Sequence, residues 1–248
     1  MKISEEDFFN LVCKQGFYSK PERLRYFLSN QLFAGVDLSG KRILDIGGGN
    51  GLFGFFALLR GASEVVIMEP EFDGCTNGMI DQFYELHNLL GGHSRITLVK
   101  ETIQEYKSYG STFDIILMTN SINHFDEAAC VDLHINSSSK EVYRKIFGMI
   151  HQLCKEHSNI IMTDCTNKNF FPQIGWINPL MPSIEWEKHQ PPEVWASFMI
   201  EKGFCLKSIR WSSPNCLGWL GRLLLGNKFA NYFTMGHFRL EMCRNKSL

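Results

Sequence analysis

Four glycines fall within five positions in the run Asp45-Ile46-Gly47-Gly48-Gly49-Asn50-Gly51. A turn this poor in Cβ atoms lets a ligand lie against the backbone, and it costs chain entropy that a tight turn alone does not justify. It follows a short apolar run and precedes a long one. The N–H groups at the start of the following helix are therefore presented to polar or anionic parts of a ligand. Two ligand chemistries fit the spacing. Gly49-Asn50-Gly51-Leu52-Phe53-Gly54 satisfies a G-x-G-x-x-G pattern, and Glu69 lies 20 positions after Gly49, as a dinucleotide site requires. Asp45 argues the other way: a carboxylate two residues before the first glycine repels a pyrophosphate and suits a ligand with an ammonium group. No G-K-[ST] follows, so a P-loop is excluded.

Two further clusters could do chemistry. Thr119-Asn120-Ser121-Ile122-Asn123-His124-Phe125 follows an apolar β-branched run. Ile184-Glu185-Trp186-Glu187-Lys188-His189-Gln190 lies in an aromatic stretch. His189 and Glu185 are candidates there, beside the alternative that the stretch packs against the N-terminal helices. His237 reads as a structural residue opening the last strand. The eight cysteines show no C-x-x-C pair and no metal-ligand spacing, so no metal site is expected.

The elements that would position these residues alternate. Residues 1–40 read as two helices divided by Pro21, with Phe8, Phe9, Val12, Leu24, Phe27, Leu28 and Leu32 at helical spacing. Residues 42–46, 64–68, 96–99, 113–118 and 160–163 read as strands. Helices are expected over 52–59, along the face of Met79, Ile80, Phe83, Leu86 and Leu90, and after a capping box at 138–141. A further helix opens at Pro191-Pro192 and ends at Gly203, and two last strands cover 205–211 and 237–243. This alternation predicts an α/β fold, a parallel sheet covered on both faces. Residues 166–190 and 215–235 exceed it as inserts, too apolar for disorder. For the apolar run 217–225, burial over a sheet edge is the expected fate; a lid or a membrane-surface patch are the alternatives.

Residues 43–51 resemble the first motif of class I S-adenosylmethionine-dependent methyltransferases, an acid followed by G-x-G-x-G. Val65-Val66-Ile67-Met68-Glu69 is similar to that family's second, acid-tipped strand. Phe113-Asp114-Ile115-Ile116-Leu117 is similar to its fourth strand, and Pro192 to Phe204 to its late helix ending in Gly-Phe. The resemblance implies a Rossmann-like, seven-stranded, mostly parallel sheet with a C-terminal antiparallel strand pair, spanning 41–248 behind an N-terminal helical cap at 1–40. It implies S-adenosylmethionine as cofactor. Gly47, Gly48 and Gly49 would approach its methionine and ribose, and Asp45 would sit near its ammonium, directly or through water. Glu69, with Pro70 behind it, would accept from the ribose hydroxyls, and Thr102 and Ile103 would border the adenine. Thr119 and Asn120 would line the cofactor edge.

In the same family, the lack of a proline after the fourth strand argues against base methylation. A histidine in that segment, here His124, suits a small-molecule methyltransferase as general base toward a hydroxyl, or as a structural hydrogen-bonder. A small-molecule acceptor methylated at oxygen is the expectation. A single-domain nicotinamide oxidoreductase and a non-catalytic cofactor-binding protein are the rivals.

Composition narrows the partners. The chain has 248 residues, is 44% hydrophobic and 21% charged, and carries a formal net charge of -1, so no electrostatic case for nucleic acid arises. Met1 to Asp7 lacks an apolar leader core, and the longest apolar run is too short to span a bilayer, which takes ~20 residues. A cytoplasmic protein with reduced thiols and no stable membrane insertion is expected.

Overall fold

A computed structural model describes residues 3–71, 77–214 and 217–245. The chain opens with α1 (Glu5–Lys14), capped by Ser4 accepting from the Asp7 amide, and α2 (Pro21–Tyr26), which continues as a π-helical stretch over Phe27–Leu32. Pro21 sits at the first turn of α2, where its missing N–H costs nothing. Then follow β1 (Arg42–Ile46), α3 (Leu52–Leu59), β2 (Glu64–Met68), α4 (Met79–Leu89), β3 (Ile96–Val99) and β4 (Phe113–Thr119). The second half holds α5 (Glu127–Val131), α6 (Ser137–Leu153), β5 (Cys154–Cys165), α7 (Phe170–Gln173), α8 (Pro192–Glu201), β6 (Phe204–Trp211), α9 (Gly218–Leu225), α10 (Lys228–Tyr232) and β7 (His237–Arg244).

The strands form one seven-stranded sheet in the order β3-β2-β1-β4-β5-β7-β6. All neighbours run parallel except β7, which is antiparallel to both β5 and β6. This is the Rossmann-like sheet with an antiparallel closing pair that the resemblance implies. Side-chain alternation splits the core in two. Leu44, Ile46, Val66, Met68, Ile116, Met118, Ile160 and Met162 face α6 and α8, where Tyr143, Phe147, Trp195 and Met199 are fully buried. Ile43, Val65, Ile67, Ile115, Leu117 and Ile161 face α3, α4 and the N-terminal helices. On that side Phe8, Phe9 and Phe56 meet with ring centroids 5.6–6.0 Å apart, so the N-terminal helices share the core of the sheet.

Three expectations need correction. The helix α6 is capped by Asn136, whose side chain accepts from the Ser138 amide at 3.0 Å, and not by a Ser138–Glu141 box. Asparagine is as good a cap as serine, and it comes two residues earlier. Strand β5 starts six residues before the expected 160. Its first half is a polar irregularity: Phe113 pairs with Cys154 but Ile115 pairs with Asn159, and His157 has φ +62°. Ser158 Oγ closes this bulge on the carbonyls of Phe113 and Lys155, both at 2.7 Å, and such residues carry no hydrophobic signal.

The third correction concerns the second insert. Helix α9 does not bury its apolar residues. Trp219 is 70% exposed, Leu223 70% and Leu224 67%, whereas Gly221 is buried. The helix docks through its small and polar side. Tyr26 Oη donates to the Gly218 carbonyl at 2.8 Å, and Arg222 Nη1 to the Asn30 carbonyl at 3.4 Å. The two inserts bind each other. Asn169 and Asn178 both donate to the Thr234 carbonyl, and Phe170 packs 5.3 Å from Phe233. Among the described residues no helix is long and apolar enough to cross a membrane. The described cysteines are all free.

Candidate active site

Parallel strands end together, so β1, β2 and β4 deliver their following loops to one edge of the sheet. There a cavity of about 710 Å³ opens. Its floor is Ile46, Gly47, Gly49 and Met68, with Glu69, Pro70 and Met79 at one side. Glu101 to Glu105 form a second wall, and Asn120, Ser121, His124, Phe125 and Glu127 a third.

The glycine turn is shaped by its neighbours. Gly47 has φ +68°, and a Cβ built on it would stand 2.4 Å from the Cβ of Ser121. Ser121 is itself fixed by its Oγ donating to the Ile46 carbonyl at 2.7 Å, so the β4 loop presses directly on the turn. Gly48 is constrained from below: a Cβ there would meet Ile67 at 2.8 Å and the Asp45 carboxyl carbon at 2.9 Å. By contrast Gly51 and Gly54 pack against Phe83, Ile67 and Val65. The G-x-G-x-x-G match thus reports helix–sheet packing at its later positions.

Glu69 is 7% exposed and ties the end of β2 to the turn. Its Oε2 accepts from the Gly49 amide at 2.8 Å and its Oε1 from the Glu71 amide at 3.2 Å. Each oxygen keeps a lone pair for a ligand. Glu71, at φ +51°, accepts from the amides of Gly78 and Ile80 at the head of α4, which hold its carboxyl below the usual range. Thr102 Oγ1 donates to Glu105 Oε2 at 2.9 Å, so its hydroxyl is engaged locally, and the buried Ile103 offers an apolar surface.

Asp45 lies beneath the turn and not in the cavity lining. It shares the face of Ile43, is fully buried, and neither carboxylate oxygen has a protein partner. Burial, and then the nearby Glu69, push its pKa up to about 7. An orphaned buried carboxylate under a bare turn is a seat for positive charge.

Asn120 takes φ +52°, a strained conformation that turns the chain from β4 into the cavity wall. The short 3-10 turn Ile122–Phe125 then presents His124. His124 Nδ1 lies 2.6 Å from Glu127 Oε1, and its Nε2 is 3.4 Å from Asn123 Nδ2. Glu127 Oε2 in turn lies 2.9 Å from Lys188 Nζ, which sits 2.9 Å from Glu185 as well. The Lys188 hydrogen bond, with that of His124, keeps the Glu127 carboxyl below the usual range.

His189 is placed elsewhere. It is buried behind Lys188, with Nδ1 2.9 Å from Asp164 Oδ1, and does not line the cavity; Gly48 and Thr119 also lie outside the lining. Asp164, Cys165 and His189 bring potential metal-ligand atoms within 4.8 Å of one another, a juxtaposition that their separation in sequence concealed. The insert carrying His189 is anchored to α5: Gln190 Nε2 donates to the Cys130 carbonyl at 2.7 Å, and Cys130 Sγ to that of Lys188 at 3.2 Å. His237 lies against Cys165 Sγ at 3.2 Å and Met235 O at 3.1 Å, the structural place expected of it.

The model of a family described as a methyltransferase domain matches residues 20–208. The chain belongs to the methyltransferase-domain family. Among solved structures, it is similar to a putative S-adenosylmethionine-dependent methyltransferase from Listeria monocytogenes, at 12% identity and TM-score 0.60, covering 92% of this chain and 100% of that one. It is also similar to an S-adenosylmethionine-dependent methyltransferase from Mesorhizobium loti, at 14% identity and TM-score 0.57, covering 84% and 93%. A putative sarcosine dimethylglycine methyltransferase from Galdieria sulphuraria aligns at 14% identity and TM-score 0.58, covering 92% and 88%. No curated protein matches the chain significantly in sequence.

The residues present fit S-adenosylmethionine, the cofactor that the resemblance implies. The partnerless Asp45 carboxylate supplies the negative charge that a cationic ligand needs, and the Gly47 cradle has no room for a Cβ. Sequence reasoning passed over Met79, Gln104 and Glu127 as lining residues, and named Ser121 and Phe125 only within the segment 119–125. Met79 had a usable signal, since it opens the helix after the loop of a strand that ends at the cavity.

Proposed function

We propose that this methyltransferase acts on oxygen of a small-molecule acceptor, with His124 as general base. The observation that carries this reading is the chain His124–Glu127–Lys188 along the cavity wall. The cofactor supplies an electrophilic methyl group. An oxygen nucleophile attacking it must lose its proton, and an imidazole is suited to take it. Glu127, acceptor-only as a carboxylate, holds the Nδ1 proton of His124 and so leaves Nε2 as the basic atom. Lys188 fixes Glu127 from the far side, which makes the insert 185–190 a positioning element for the base. These pairs are partly exposed and add little to stability; their use is orientation.

In the same reading Gly47 and Gly49 bring the backbone against the methionine and ribose, and Glu69 accepts from the ribose hydroxyls. Asp45 offsets the ligand's positive charge from beneath the turn. Pro70, Thr102 and Ile103 border the adenine, and Asn120, with Thr119 behind it, the methionine. His189 holds the insert through Asp164 and takes no proton from the acceptor. The orphaned Asp45 carboxylate opposes a pyrophosphate, which disfavours the nicotinamide reading.

Calorimetry with S-adenosylmethionine, S-adenosylhomocysteine and NADH tests the cofactor site: the first two are expected to bind and NADH not. Transfer of labelled methyl groups to a panel of alcohols, phenols and amines then tests the acceptor atom. Turnover confined to amines would overturn the oxygen assignment.

A further inference from the structure

Helix α9 is oriented against the ordinary rule for a surface helix. Its buried side is Gly221, with the Gly218 carbonyl and Arg222 bonded to the N-terminal helices. Its outward side carries Trp219, Leu220, Leu223 and Leu224, all exposed, and α10 adds Phe229 at 77% exposure. A helix laid on a protein to shield a core does the opposite. Apolar side chains gathered on an outward face mark an interaction surface.

The charge pattern says which kind. In a chain of net charge -1, the second insert, residues 215–235, holds Arg222 and Lys228 and no Asp or Glu; Lys228 meets Glu193 of α8, and Arg210 stands exposed on β6 beside Arg222. Residues 166–190, the first insert, balance Lys168 and Lys188 against Glu185 and Glu187. The second insert is thus cationic and apolar at once, and it is bonded into one unit with the first through Asn169, Asn178 and Thr234. That combination, with a tryptophan among the leucines, complements an anionic bilayer surface: the apolar face enters the acyl boundary and the cations meet the headgroups.

Topology fixes where the unit sits. The first insert leaves the carboxyl end of β5 at Cys165. The second joins the carboxyl end of β6 at Trp211 to His237, which pairs with Cys165. Both therefore stand on the same edge of the sheet as the cavity, which opens at the ends of β1, β2 and β4.

We propose that the outward face of α9 and α10 seats this protein peripherally on an anionic lipid bilayer, with the edge of the sheet that bears the cavity toward the membrane. Docking is independent of which acceptor is methylated.

The test is co-sedimentation of the full chain with phosphatidylcholine vesicles, alone or with about one third phosphatidylglycerol. Binding is expected to the anionic vesicles, weakly or not at all to the neutral ones, and to fall as salt is raised. A Leu223→Glu/Leu224→Glu variant is expected to lose about tenfold or more of this partition. Its binding of S-adenosylmethionine by calorimetry is expected to be unchanged, because both side chains point outward. Absence of sedimentation of the wild type with anionic vesicles would overturn the proposal. So would equal partition of wild type and variant, or a wild-type dimer, lost in the variant, that binds no vesicle. A failure to bind the cofactor would leave the vesicle result standing, so the two readings fail separately.

Discussion

The amide of Gly49 donates to Glu69 Oε2 at 2.8 Å, joining the glycine turn after β1 to the tip of β2 across 20 residues of sequence. The carboxylate proposed to accept from the ribose therefore also holds the turn in shape. Glu69→Ala is expected to weaken S-adenosylmethionine binding about ten- to hundredfold, the scale of losing hydrogen bonds to a charged group. Glu69→Gln, which keeps one acceptor, should fall between. Calorimetry reads both. Unchanged affinity in the alanine variant would remove Glu69 from the ribose site.

Gly47 and Ser121 make a second test. Alanine at 47 must adopt φ +68° and place its Cβ 2.4 Å from that of Ser121. The expected destabilisation is about 2–4 kcal/mol, from backbone strain and overpacking together. Ser121→Gly removes the clash but not the strain, so Gly47→Ala/Ser121→Gly should recover part of the loss. Denaturant titration of the four proteins gives the coupling. Simple additivity would show that the contact does not govern the turn.

How far these relationships were legible in the sequence follows from their range. The strands β1 and β2 and the helix α3 were read to the residue, because apolar runs bounded by glycines report burial directly. Gly47, Gly49, Glu69, Pro70, Thr102, Ile103, Asn120 and His124 were named from motif order, and the fold gathers them at one cavity. The polar half of β5 was missed because its pairing rests on a bulge held by Ser158 and not on hydrophobic alternation. The pairing of His124 with Glu127 is local, three residues apart. The addition of Lys188 from an insert 61 positions further on is a product of tertiary packing that no local pattern encodes. Asp45 was expected near the ligand's ammonium, directly or through water; strand parity puts it under the turn, on the side of Ile43.

His124→Asn keeps a hydrogen-bonding side chain and removes the base. Methyl transfer to a hydroxyl acceptor is expected to fall about 10²–10⁴-fold in kcat, with cofactor affinity unchanged, and the pH profile to lose the limb the imidazole contributes. Lys188→Met leaves the base but frees Glu127, so a smaller loss with an altered pH profile is expected. A variant at 124 with wild-type turnover and profile would make the histidine a structural element only.

Asp45 gives a pH dependence whose sign can be worked out. Its pKa is raised from 3.8 to about 7 in the folded protein, chiefly by burial. Between those values the folded state binds more protons than the unfolded one, so stability falls as pH rises through that window and levels off above about 7. The full effect is on the order of 4 kcal/mol. Asp45→Asn removes the ionisable group, and its unfolding free energy is expected to be flatter over the same range. Cofactor binding should behave in the opposite sense. A cationic ligand favours the ionised carboxyl, so wild-type affinity should rise as pH approaches 7 and binding at lower pH should release a proton, measurable as a buffer-dependent enthalpy. In the asparagine variant that proton release disappears and affinity is weaker. If release persisted in the variant, the group coupled to the cofactor would be another one, and the carboxylate under the turn would be a packing feature alone.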